Sequence, residues 1–169
     1  MKRLIPLLAV TVLLSACGLR PVYGGGGHGA VAQALGNVEV QPIEGKAGWL
    51  VRNALNDRLS AMSGNNGPAY KLVVKLDDQI SGFGLRSDAA ITRERRTLRA
   101  RYQLIDGATG AQVLDDTAGS DAGIDVTSSE YATIAAEDTA LERLSQTVAD
   151  QIIARLATFA TRDQRHEGQ

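Results

Sequence analysis

The chain has one cysteine, two histidines and only 4% aromatic residues in 169 positions. A single thiol, Cys17, excludes an internal disulfide, so any fold must rest on its core. His28 and His166 stand near opposite ends, which leaves no Cys/His cluster for zinc and no base held beside a nucleophile. No apolar run reaches the ~20 residues that a membrane-spanning helix needs. Charge is nearly balanced, 18 basic against 19 acidic residues, and gives no reason to expect nucleic acid as a partner. Two adjacent carboxylate pairs, Asp77-Asp78 and Asp115-Asp116, fall in strand-like stretches. Neighbours on a strand point to opposite faces, so neither pair can form a catalytic dyad. Gly45-Lys46 lacks the upstream glycine of a Walker loop. The expectation is a protein that is not an enzyme and holds no metal or cofactor.

What is present begins at the amino terminus. Lys2 and Arg3 precede an apolar stretch from Leu4 to Leu14, and small residues follow, as in a secretory signal. Leu14-Ser15-Ala16-Cys17 resembles the lipobox of bacterial lipoprotein precursors. That resemblance implies cleavage between Ala16 and Cys17, with acyl chains on the cysteine. Several chains anchor a protein stably, whereas one holds it only reversibly. Gly18, rather than aspartate, favours the outer membrane. The run Gly24-Gly25-Gly26-Gly27-His28-Gly29 matches GxGxxG, but a dinucleotide fingerprint must follow a strand and open a helix. Here it follows a cysteine and Pro21, and it reads as a flexible tether. The organisation expected is a signal over residues 1–16, a lipidated tether over 17–36, a domain over 37–162 and a polar, disordered tail over 163–169.

Within the domain, "NVEVQPI" (37–43) reads as a short strand, on a sheet edge because of Pro42. Val51, Leu55, Leu59 and Met62 recur at helical spacing, and "SGNNGP" (63–68) is a stop. Tyr70, Leu72, Val74 and Leu76 alternate with Lys71, Lys75 and Asp77, which predicts a strand. "SGFGLRSDA" (81–89) reads as a loop. A third strand carries Leu98, Ala100, Tyr102 and Leu104 on one face and Arg93, Arg95, Thr97, Arg99 and Arg101 on the other. Asp106 to Gly110 is turn chemistry leading to an antiparallel fourth strand. Thr127-Ser128-Ser129-Glu130 has capping-box form, and Leu141, Leu144, Val148, Ile152, Leu156 and Phe159 make the apolar stripe of a long helix. The order β-α-β-β-β-α predicts an α+β, two-layer sandwich. About four strands form a mixed, mostly antiparallel sheet, with two helices on one face and the arginine-bearing face uncovered.

With these elements in place the chain resembles the LptE family of lipopolysaccharide-assembly lipoproteins. The likeness rests on Cys17-Gly18-Leu19-Arg20-Pro21-Val22-Tyr23, on the element order over 37–162 and on the final helical segment beginning "SSEYATIAAEDTALERL". The glycine run after Tyr23 departs from the family pattern. The resemblance implies an outer-membrane protein that plugs the lumen of the β-barrel LptD, helps it fold and assists lipopolysaccharide delivery to the outer leaflet. It further implies an acyl anchor in the inner leaflet of that membrane, with the domain facing the periplasm and the barrel lumen. Two other classes fit the same residues: an auxiliary lipoprotein of another envelope machine, for ABC lipid transport or barrel assembly, or a small anchored periplasmic hydrolase.

Arg93, Arg95, Arg99 and Arg101 stand out independently of any family. Arg93 to Arg101 spans about 26 Å at ~3.3 Å per residue. Charges ~7 Å apart repel by only about 0.6 kcal/mol in water, so the row is tolerable while solvated. Two readings stay open. The arginines could pair with carboxylates, Arg101 lying opposite Asp115 and Tyr102 opposite Leu114 across a five-residue loop. Alternatively, their planar forks could grip the phosphates and acidic sugars of lipopolysaccharide.

Overall fold

A computed structural model describes residues 35–62, 69–85 and 91–167. The elements are β1 (Val38–Val40), α1 (Gly45–Ser60), β2 (Tyr70–Leu85), β3 (Ile91–Asp106), β4 (Gln112–Asp125) and α2 (Glu130–Glu167). They form one four-stranded sheet in the order β1-β2-β3-β4. β1 runs parallel to β2, and the other pairs are antiparallel. This is the mixed α+β arrangement that the alternation and helical spacing predicted.

Strand periodicity decides the two faces. Tyr70, Leu72 and Val74 of β2 and Leu98, Ala100, Tyr102 and Leu104 of β3 are buried against both helices. The intervening residues face outward. α1 contributes Val51, Ala54, Leu55 and Leu59, and α2 contributes Leu141, Leu144, Val148, Ile152 and Leu156, all to a single core. Ion pairs from Lys46 to Asp138 (2.7 Å) and from Arg58 to Asp150 (2.6 Å) mark the two helices as parallel neighbours. Leu35, inside the stretch read as tether, is also buried in this core.

At Gly48 the first turn of α1 meets the chain that delivers it. A Cβ there would lie 2.5 Å from the backbone oxygen of Ile43. Backbone cannot swing aside as a flexible side chain does. Gly48→Ala is therefore expected to destabilise the domain by roughly 1–3 kcal/mol, seen as a melting temperature several degrees lower.

Four local expectations need correction. Residues 81–85 are strand, not loop: β2 stays paired with β3 up to Leu85 opposite Ile91. Pairing with a full-length neighbour overrides the weak strand preference of Ser81, Gly82 and Gly84. Residues 63–68 and 86–90 lie outside the described residues. The β3–β4 register also differs, since Arg101 faces Thr117 and Tyr102 faces Asp116. Asp106 is the cause. Its Oδ1 accepts hydrogen bonds from the Ala108 and Thr109 N–H groups (2.9 and 2.7 Å) and from the Thr109 hydroxyl (2.9 Å). Gly110 closes the turn at φ +71°, and an irregularity at Leu104/Ile105 absorbs the remaining offset. A two-residue slip leaves every side chain on its expected face.

The third correction is at α2. Its amino terminus is capped by Ser129, whose hydroxyl accepts from the Ala132 N–H (3.4 Å), so Thr127 and Glu130 do not form the expected box. Thr127 instead donates its hydroxyl to the Ser129 carbonyl (3.0 Å). Finally, α2 continues to Glu167, into the stretch read as a disordered tail.

Candidate functional site

The outer face of the sheet carries all four arginines singled out from the sequence, and each is exposed. Their partners set them apart. Arg93 pairs with Asp125 of β4 at 3.0 Å. Arg95 reaches Asp121 at 3.8 Å and lies over the Phe83 ring, 5.5 Å from its centre. Arg101 makes a two-pronged contact with Asp115, Nε to Oδ1 at 3.1 Å and a terminal nitrogen to Oδ2 at 2.9 Å. This contact is diagonal, because the Cα partner of Arg101 is Thr117. Arg99 alone makes no ion pair with a described residue; its side chain lies across Gly119, where a Cβ would sit 3.2 Å from Arg99 Cδ.

The electrostatics follow from these contacts. The Arg101 hydrogen bond, with a second from Gln103, pulls the Asp115 carboxyl down to about 2. The same hydrogen bond raises Arg101. Arg101 is thus neutralised locally at any physiological pH, and Arg99 has no carboxylate partner among the described residues.

Around Arg99 and Arg101 the sheet opens into a shallow depression of about 340 Å³, flanked by Lys75, Asp77 and Thr117. A smaller hollow of about 120 Å³ continues between Lys75, Arg101 and Gln103. Lys75 was legible only as one polar position of β2. The β2–β3 register, which sets it opposite Arg101, makes it part of the cationic surface. An arrangement of Arg99, Lys75 and a paired Arg101 around an open floor suits an anionic group larger than a single carboxylate. Arg93 and Arg95 sit outside the depression.

One arginine that the sequence did not flag lies on the opposite face. Arg96 is only 11% exposed and grips Asp78 through Nε (2.8 Å) and a terminal nitrogen (2.6 Å). Its other terminal nitrogen donates to the Glu137 carbonyl of α2 (3.0 Å). The carboxylate neighbours do diverge as expected: Asp115 faces Arg101, while Asp116 faces Arg155 of α2 at 2.6 Å. Among the described residues no group of three His, Cys, Asp or Glu could hold a metal ion. No helix there is long and apolar enough to cross a membrane. Ala16 and Cys17 lie outside the described residues.

A helix pair over one face of a mixed four-stranded sheet is also the fold of solved bacterial lipoproteins. A Caulobacter crescentus CB15 protein described as a lipoprotein is 28% identical, with a TM-score of 0.64 over 79% of this chain and 98% of that one. The minor lipoprotein of Acinetobacter baumannii (13% identity, TM-score 0.59, 74% and 92% covered) shares the fold. So does rare lipoprotein B of Shewanella oneidensis (14%, 0.55, 76% and 97%). No curated protein sequence matches the chain. The lipopolysaccharide-assembly family model LptE matches residues 35–156, and the chain belongs to that family. It is accordingly a lipopolysaccharide-assembly lipoprotein of the bacterial envelope, in a family that is not enzymatic.

Proposed function

We propose that the chain is cleaved between Ala16 and Cys17, acylated on Cys17 and anchored in the outer membrane. Its domain plugs the LptD β-barrel, helps that barrel fold and assists lipopolysaccharide delivery to the outer leaflet. The observation that carries this reading is the family match across nearly all of the folded domain. The sheet face that no described element covers supports it: Arg99 and Lys75 offer cations to the phosphates and acidic sugars of lipopolysaccharide, while Arg93 and Arg95 are already matched by Asp125 and Asp121. The row therefore divides, with three paired members and, in the depression, Arg99 without an ion pair to any described residue.

Affinity purification of the full-length protein from detergent-solubilised outer membrane tests the reading. LptD should be recovered with it. Recovery of a different envelope machine without LptD would replace this function with that machine's. Within the depression, Asp115→Asn removes the carboxylate that neutralises Arg101. Lipopolysaccharide binding by the purified domain should then tighten, most clearly at low salt, where exposed charges are least screened.

A further inference from the structure

Three of the four arginines on the outer face find a carboxylate on β4. Arg93 meets Asp125, its own Cα partner. Arg95 and Arg101 reach diagonally to Asp121 and Asp115, two residues before their partners Gly123 and Thr117. Arg99 stands opposite Gly119, so the same diagonal lands on Thr117, which carries no charge. Its direct partner on β4 has no side chain.

A carboxylate does stand on its other side. Asp77 of β2 is the second Cα partner of Arg99, and directly opposed charges on neighbouring strands ordinarily pair. These two do not. Both Asp77 oxygens instead accept hydrogen bonds from Gln79 Nε2, at 3.1 Å each. Gln79 is exposed and occupies the next position on the same face of β2. Arg99 meanwhile leans away, over β4: a Cβ on Gly119 would lie 3.2 Å from its Cδ and 3.2 Å from its Nη1. Gln151 of α2 pins that seat, accepting the Gly119 N–H (3.0 Å) and donating to its carbonyl (3.3 Å).

We infer that Gln79 and Gly119 are positioning residues of the anion-binding depression: Gln79 occupies Asp77, Gly119 gives the Arg99 side chain a place to lie, and together they hold the guanidinium ready for the phosphate groups of lipopolysaccharide. This rests on the function proposed above. An exposed ion pair is weak enough for one competing hydrogen-bond donor to decide whether it forms. A phosphate monoester brings up to two charges and three acceptor oxygens, which suits the planar fork of an arginine that has no carboxylate on it.

The test is a double-mutant cycle on the full-length protein in mild detergent, with intact and dephosphorylated lipopolysaccharide as probes. Gln79→Ala should weaken binding of the intact form about two- to fivefold at low salt, the range of one exposed pair. A crystal structure of that variant should show the Asp77 carboxylate within about 4 Å of the Arg99 guanidinium. The same change in a chain already carrying Asp77→Asn should leave binding unaltered, because no carboxylate remains to be released. A merely structural role for Gln79 would weaken binding in both backgrounds. Binding of the dephosphorylated form should not respond to Gln79→Ala. Gly119→Ala, which crowds Arg99 off β4, should also bring Asp77 and Arg99 together. The inference is overturned if Gln79→Ala has the same effect with and without Asp77, or if the two side chains stay apart in both variants. If the unaltered protein binds neither form, the lipopolysaccharide reading of this face falls, and the Asp77–Arg99 separation alone then decides whether Gln79 and Gly119 hold Arg99 unpaired.

Discussion

Arg96→Ala is expected to lower the unfolding free energy by about 3 kcal/mol at neutral pH, near the low end for breaking a buried ion pair. The side chain is 11% exposed and is the cation at the centre of an otherwise acidic cluster. It holds Asp78 by two hydrogen bonds and α2 by a third. Glu94 stands close by with a buried Oε2 that no donor among the described residues reaches. Glu137 is held above the usual carboxylate range, first by burial and then by the charge of Glu94; a proton on Glu137 would supply the donor that Glu94 lacks. Lys46, on α1, is engaged by Asp138 and does not replace Arg96.

The pH dependence has a definite sign. Glu137 binds its proton more tightly folded than unfolded, so its contribution is fully present below its ordinary value near 4.5 and is lost as pH rises through the folded value. Without Arg96, Glu137 loses the neighbouring cation that holds its carboxyl down, and its protonation is favoured further. Denaturant melts should therefore show the gap between variant and wild type widest at neutral pH and narrowing towards pH ~4. A gap that stays constant with pH would mean lost packing rather than lost charge. Pairing Arg96→Met with Asp78→Leu should recover much of the stability, because no stranded carboxylate then remains at that position.

Reversing both Arg99 and Arg101 to glutamate is expected to weaken lipopolysaccharide binding by the purified domain roughly tenfold or more, about 1.4 kcal/mol. The double variant exchanges two cations for two anions beside Asp77 and Asp115, at the floor of the 340 Å³ depression. Reversing Arg93 and Arg95 instead should cost binding less, since each already faces an aspartate at 3.0 or 3.8 Å and stands outside the depression. The comparison removes general charge as the explanation: both doubles change the net charge equally. Equal losses would assign the effect to the whole face, and unchanged binding by the Arg99 and Arg101 variant would end its role as the ligand surface. Higher salt should shrink the difference, because these groups are solvent-exposed and screened.

The site was legible in part. Alternation alone assigned Arg93, Arg95, Arg99 and Arg101 to one face, and all four are exposed there. It could not say which of them is free. Arg99 faces Gly119, which has no side chain to answer it, while Arg101 meets a carboxylate two residues away from its Cα partner. Arg96 was passed over because one residue's offset on a strand moves a side chain to the other face. That alone does not disclose Asp78 waiting across the ladder.

Taken by itself, the order of residues determined the element sequence, the buried faces of β2 and β3 and the buried stripe of each helix. These follow from periods of two and about 3.6 residues, which are properties of the local backbone. Only the folded molecule decided register, strand length and charge pairing. Register turned on three hydrogen bonds to one Asp106 oxygen. The length of β2 turned on a partner strand long enough to carry its glycines. Each depends on what stands opposite, and opposition in space is set by packing between segments distant along the chain.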